Sequence, residues 1–284
     1  MYLSKKLGVV VIITGLVASF STAQAVTVLL VSDNAFINSR AGPGDPEVDM
    51  EAFMTSLGYD VIRATGSGST AQFREGNDGA AGAAAVGADL IVVSRVTNSG
   101  NYDEGNNGAN WNAITTPLLL LGPHIARSSR WKWLNSTIVD QGAVTDLVLD
   151  DPTHPFVSGL GTSLFDSSTS LTRLDTTNVG NGGLIATAPD GDVALVEWDA
   201  GDEFYSGSGQ IAGGQRVYFG GLRYHEDDGA RQLVFDDYSD NGMAMLGQIM
   251  TTMVPIPEPS TIAILGSLLV AAPFVLWRRR KPAG

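Results

Sequence analysis

The sequence predicts an α/β protein: a mostly parallel sheet with an antiparallel extension, flanked by two apolar ends that lie outside the fold. Three observations carry this. Largely apolar runs at 26–31, 89–96 (Asp-Leu-Ile-Val-Val-Ser-Arg-Val) and 117–121 lack regular polar alternation, so they read as strands buried on both faces. Segments with helical spacing stand between them, a βαβ pattern that gives parallel pairing through right-handed crossovers. After residue 146 the pattern changes to short strands separated by turn clusters such as Pro189-Asp190-Gly191-Asp192.

Taken in order, the first strand covers 26–31 and ends in Ser32-Asp33-Asn34. A helix follows, with Asp45 as N-cap, Pro46 at its first position, Met50, Phe53, Met54 and Leu57 on one face, and Gly58 closing it. The second strand is 59–64. Residues 66–87 are Gly/Ala-rich, with a helix allowed over 80–86. The third strand, 89–96, leads into a polar loop over 98–110 and a short helix around Trp111. The fourth is 117–121. Strand-like stretches then fall at 147–149, 170–174, 184–187, 193–198 and 216–219. Asp240-Asn241-Gly242 opens a last helix with Met243, Leu246, Ile249, Met250 and Met253 on one face. No internal repeat is present.

The two ends are addresses rather than fold. Lys5-Lys6, the apolar stretch 7–20 and Ala23-Gln24-Ala25 have the three parts of a signal peptide, with signal peptidase cleaving after Ala25. Residues 261–277 contain no charge. A helix of that run spans roughly 25 Å against a hydrocarbon core of ~30 Å, a gap that modest thinning closes. Arg278, Arg279, Arg280 and Lys281 follow and mark the cytoplasmic side. The expected organisation is a signal peptide (1–25), an exported domain (26–254) and a tail (255–284) held in the cytoplasmic membrane by one transmembrane helix.

Pro257-Glu258-Pro259, the apolar helix and the terminal Arg cluster together resemble the PEP-CTERM sorting signal of Gram-negative bacteria that make extracellular polysaccharide. The resemblance covers residues 256–281, with Ile256 where the family usually has Val. It implies recognition by an exosortase, removal of the tail, and delivery to the cell surface or extracellular matrix, where extracellular polysaccharide is a candidate partner. Pro257, Glu258 and Pro259 would then be acted upon and not catalytic.

Composition bounds the exported part. Six of the 17 basic residues lie in the two ends but only one of the 30 acidic residues does, leaving 11 cations against 29 anions and a net charge of −18. Such a charge argues against nucleic acid and against adsorption to anionic polymers or lipid; it favours divalent cations or cationic partners. There is no cysteine, which removes disulfides, thiol catalysis and Cys-ligated metals. A domain of this length is held by its core alone.

The strand segments 28–33, 88–94, 117–122 and 217–220, with Asp151-Pro152-Thr153-His154-Pro155-Phe156, resemble the class I glutamine amidotransferase-like fold in its ThuA-like form, a flavodoxin-like sheet. In true amidotransferases a Cys follows the strand matching 117–121; here the turn reads Gly122-Pro123-His124. The family's His and Glu correspond to His225 and Glu226, adjacent in this chain. The resemblance therefore implies a fold with an empty nucleophile position. No Gly-x-Ser-x-Gly replaces it.

A doubly wound sheet binds ligands at the carboxyl ends of its parallel strands. The candidate ligand rim is accordingly Asp33, Asn34, Arg95, His124, His225 and Glu226, with Ser94 beside them. No HExxH or tight His spacing points to a metal, and the sequence asks for no cofactor. Acidic turns at 190–192, 226–228 and 236–242 would suit calcium but fit no calcium-loop pattern. Trp111, Trp131 and Trp133 are sugar-stacking candidates, with core positions the more common fate of such residues. His154 reads as part of a rigid turn. The expected function is a binding or structural surface protein without catalysis. The alternative is a secreted hydrolase for carbohydrate or peptide, using a strand-end histidine with carboxylates.

Overall fold

A computed structural model describes residues 25–32, 47–64, 66, 71–165, 169–220 and 238–257. The strands are β1 (Thr27–Val31), β2 (Asp60–Ala64), β3 (Leu90–Val93), β4 (Leu118–Leu120), β5 (Val139–Val144), β6 (Val148–Leu149), β7 (Thr169–Leu174), β8 (Gly183–Thr187), β9 (Val193–Trp198) and β10 (Arg216–Phe219). The helices are α1 (Val48–Ser56), α2 (Gly79–Ala85), α3 (Asn107–Asn112), α4 (Pro123–Ala126) and α5 (Asp240–Met253).

Eight strands form one sheet in the order β2-β1-β3-β4-β10-β9-β8-β6. The first five are parallel. Their order, second-first-third-fourth-last, is that of flavodoxin-like doubly wound sheets. The remaining three pair antiparallel as β10-β9-β8-β6, the expected extension. β5 and β7 form a separate antiparallel ribbon, Val139 opposite Leu174 and Val144 opposite Thr169. Residues 25–256 make one compact unit.

Two hydrophobic layers sandwich the sheet, because its strands carry apolar side chains on both faces. Val28, Leu30, Leu90, Val92, Val217 and Phe219 point to a layer built with α1 and α5 through Met50, Met54, Leu246, Ile249 and Met250. Leu29, Val31, Ile91, Val93, Leu118 and Leu120 point the other way. There they meet α2 and α3 and the aromatic group of Tyr102, Trp111, Trp131, Trp133, Trp198 and Phe204. These four tryptophans are fully buried, and Trp133 stacks on Phe204 with ring centroids 5.3 Å apart. They are core, and none offers a face to a sugar.

β10 carries a cation into this interior. Arg216 is buried and donates to the carbonyls of Thr116 (3.0 Å), Asn112 (3.0 Å) and Ile114. These lie at and just beyond the end of α3, where orphan carbonyls favour a positive charge. The close approach demands glycine at the next turn: a Cβ on Gly213 would sit 2.4 Å from the Ala113 carbonyl oxygen. At the other end of the chain Ser239 caps α5, its Oγ accepting from the Gly242 N–H (3.0 Å).

Two element details differ from expectation. α1 starts at Val48 with Glu47 in the N-cap position and makes no side-chain cap bond. Asp45 and Pro46, the expected cap and first residue, lie outside the described residues. β5 was not foreseen. Among the described residues no helix is long and apolar enough to cross a membrane; residues 261–277, where one is expected, lie outside them, as do the signal peptide with Ala23, and Glu258, Pro259 and the basic cluster Arg278, Arg279, Arg280 and Lys281.

Candidate ligand-binding site

The exits of β3 and β4 lie side by side, because the two strands pair in register from Ile91 with Leu118 to Val93 with Leu120. After β3 the chain tightens at once. The Ser94 hydroxyl donates to Glu47 Oε1 (2.6 Å) and accepts from the Val96 N–H (3.0 Å), while Thr97 Oγ1 donates to the Ser94 carbonyl (2.9 Å). This turn fixes Arg95, only 7% exposed. Burial pushes its guanidinium down to about 10, with the Tyr218 phenol opposing that effect. Tyr218 is itself raised, chiefly by burial.

After β4, Gly122 packs against the β3 exit; a Cβ there would touch the Ser94 carbonyl oxygen and Thr97 Oγ1 at 3.5 Å. Pro123 then starts the single turn of α4, and His124 follows, half-buried. Its imidazole is pushed down to about 4, first by burial and then by the positive charges of Arg95, Arg127 and Arg130. At neutral pH the ring is uncharged, with one nitrogen a donor and the other an acceptor. Neither ring nitrogen has a hydrogen-bond partner among the described residues.

Arg127 and Arg130 come from the segment after α4. The tryptophans hold that segment down: the Trp131 N–H donates to the Ile125 carbonyl and the Trp133 N–H to the Ala126 carbonyl, both at 3.0 Å. Their rings are locked in the core, Trp131 Nε1 donating to the Tyr102 carbonyl (2.7 Å) and Trp133 Nε1 to Asn112 Oδ1 (2.7 Å). Arg127 Nε donates to the His124 carbonyl (2.9 Å) and Nη2 to Ser99 Oγ (3.4 Å). Arg130 pairs with Asp103 at 2.5 Å. Burial lowers Arg127, and the Arg130 charge adds to this while Asp103 partly offsets it.

Of the expected rim, Arg95 and His124 thus lie at adjacent strand exits. Asp33, Asn34, His225 and Glu226 lie outside the described residues. Sequence reasoning missed Arg127, Arg130 and Asp103. The available signal was Arg127, Arg130 and Lys132 within six residues of an otherwise acidic domain.

The remaining candidates have structural partners. His154 lies away from the rim, in a turn where the Asp151 carboxylate accepts from the Thr153 N–H (3.0 Å) and hydroxyl (2.7 Å). Its Nδ1 accepts from the Phe156 N–H (3.2 Å), which leaves Nε2 to donate to Glu197 Oε1 at 2.9 Å. Asp190 and Asp192, a calcium candidate by sequence, both contact the buried Arg173. Among the described residues no group of three or more histidines and carboxylates is placed to hold a metal.

No protein-family model and no curated protein matches the chain. Solved structures do. A protein described as ThuA-like from Parabacteroides merdae superposes with a TM-score of 0.50 at 10% identity, covering 81% of this chain and 91% of that one. Another described as ThuA-like, from Bacteroides uniformis, gives 0.48 at 9%, covering 86% and 97%. A cytoplasmic protein of Salmonella typhimurium gives 0.44 at 11%, covering 80% and 98%. The first of these carries the likeness, and it is one of fold: a mixed α/β, flavodoxin-like sheet of the ThuA-like kind. Fold does not assign function.

Proposed function

We propose that this chain is a surface or matrix protein whose ThuA-like domain binds a ligand at the β3 and β4 exits without catalysing a reaction, and that the PEP-CTERM tail delivers it there. The observation that carries the binding reading is the character of those exits. The turn where an amidotransferase keeps its nucleophile reads Gly122-Pro123-His124. His124 is neutral and faces arginines, and among the described residues it has no serine or carboxylate hydrogen-bonded to its ring. A base without a nucleophile, beside cations, suits recognition better than acyl transfer. The hydrolase alternative needs a free carboxylate beside His124, whereas Asp103 is held by Arg130 and Glu47 accepts from the Ser94 hydroxyl.

The delivery reading is supported by how the domain ends. The Tyr59 hydroxyl donates to the Val254 carbonyl (3.0 Å), and Ile256 packs on the α1/α5 layer. The compact unit thus runs to Ile256, the residue before Pro257, which suits a tail that is removed. Mass spectrometry of the mature protein from a host with an exosortase tests this. The expected form begins at Val26 and lacks the Arg278-Arg279-Arg280 cluster. An intact basic C-terminus on the surface-exposed form would overturn delivery by sorting.

A further inference from the structure

We infer that the β3 and β4 exits bind a small oxyanion, a carboxylate or phosphate group on a molecule of one or two charges, with Arg127 as the group that grips it. The inference rests on the strand-exit binding reading and names the chemistry of its ligand.

The first argument is charge placement. The exported domain has 11 cations against 29 anions. In so acidic a chain most arginines should find carboxylates, and Arg63, Arg74, Arg130 and Arg173 do. Arg127 does not. Its guanidinium is half-buried, and it donates only to two neutral oxygens, the His124 carbonyl and Ser99 Oγ. Nη1 has no partner among the described residues. A guanidinium with its fork partly open is built to donate two parallel hydrogen bonds to a carboxylate or phosphate.

The second argument is what surrounds that fork. His124 adds a neutral imidazole without a partner among the described residues, so an N–H is available to a second anion oxygen. Arg95 from the β3 exit and Arg130 from the segment after α4 reinforce the local positive field; the opposing charges are Asp103, engaged by Arg130, and Glu47, which accepts from the Ser94 hydroxyl. The uncharged ring therefore sits in a net positive field in which Arg127 donates to neutral oxygens alone, and a bound anion supplies the charge that Arg127 lacks.

The third argument sets the size. At physiological ionic strength charges act over about 8 Å. Within that range an anion at Arg127 meets mainly the arginines. A long polyanion would extend beyond it and meet a surface of net −18. The site therefore selects small anions and rejects polymeric ones.

The test uses the full chain in mild detergent, with the three histidines followed by NMR. Probes are inorganic phosphate, glucuronate, neutral glucose and polymeric alginate, each at fixed ionic strength. The expected result is that phosphate, glucuronate or both move the His124 resonances and raise its titration midpoint, since a bound anion favours the imidazolium. Phosphate alone would assign a phosphorylated ligand, glucuronate alone an acidic sugar. Arg127→Gln should weaken the bound probe by about tenfold or more, and Arg127→Lys, which keeps the charge and loses the fork, by less. If neither anion perturbs His124 at about 50 mM, well above ordinary ligand affinities, the inference falls. It also falls if Arg127→Gln binds as the parent does, or if alginate binds as tightly per site as glucuronate. A response of His124 to glucose, unaffected by Arg127→Gln, would remove the anion and leave the strand-exit binding reading standing.

Discussion

Arg173 and Arg127 are both arginines of the same acidic domain, yet they are treated in opposite ways. The Arg173 side chain, on β7, is 1% exposed and is met by Asp190, Asp192 and the Leu171 carbonyl. Arg127 follows α4, stays half-buried, and touches only neutral oxygens. The contrast follows from desolvation. A fully buried charge is tolerated only when opposite charge or a full set of hydrogen bonds replaces its water, whereas a half-buried one keeps enough water to go without a carboxylate. The first arrangement is closed and serves the fold. The second is open and leaves its field for something else.

The largest expected effect tests the closed side. Arg173→Met should strand Asp192 in the interior and lose about 3–5 kcal/mol, the usual result of breaking a buried pair from one side. For a domain of this size that corresponds to a melting temperature lower by roughly 6–20 °C. Asp190→Asn should cost far less, because the Asp190 side chain is 52% exposed and water screens its contact. Thermal or urea denaturation measures both. An Arg173→Met protein as stable as the parent would erase the distinction.

Arg216 asks whether a buried cation needs carboxylates or merely acceptors. Its acceptors are carbonyls alone, and burial holds it down to about 10. Arg216→Lys keeps the charge but cannot span Thr116, Asn112 and Ile114 together. A loss of about 2 kcal/mol is expected from the unpaired carbonyls and the displaced ammonium. A neutral outcome would show that the carbonyls need only charge and no fork.

How much of this was legible in the sequence varies by element. β1, β3, β4 and β10 were readable, because a strand buried on both faces must be apolar at nearly every position, and only Thr27 of β1 and Arg216 of β10 break that rule. β5 was not. Val139-Asp140-Gln141-Gly142-Ala143-Val144 has no run and no clean alternation, and its partner β7 lies in a segment no local rule connects to it. At the site, Arg95 and His124 were legible from the strand-end rule. Arg127 and Arg130 were not, since they arrive through the burial of Trp131 and Trp133, a tertiary event with no sequence period.

His124 reports on the open side through pH. Its folded midpoint of about 4 lies below the ordinary 6.5, so the fold favours the neutral ring. The stabilisation is fully present above about pH 6.5, falls as pH drops toward 4, and stays lost below that, because the unfolded chain binds the proton more readily in that window. With half-burial discounted, the amount is about 1–2 kcal/mol. Urea titrations at pH 7 and 4.5 should show a smaller acid loss for His124→Gln than for the parent. Equal losses would mean that neither burial nor the arginines act on this ring.

The smallest expected change in stability is at Arg127 itself. Arg127→Gln removes one of three charges facing His124 and breaks two hydrogen bonds to neutral oxygens, effects of opposite sign. Stability at pH 7 should stay within about 0.5 kcal/mol of the parent, the range of an ordinary surface substitution. The same variant should raise the His124 midpoint, since less repulsion opposes its proton. Near-silence in stability joined to a shifted histidine marks a residue whose charge is directed at the site and not at the fold. A loss comparable to that of Arg173→Met would instead make Arg127 a second closed arginine, and the two environments would be one.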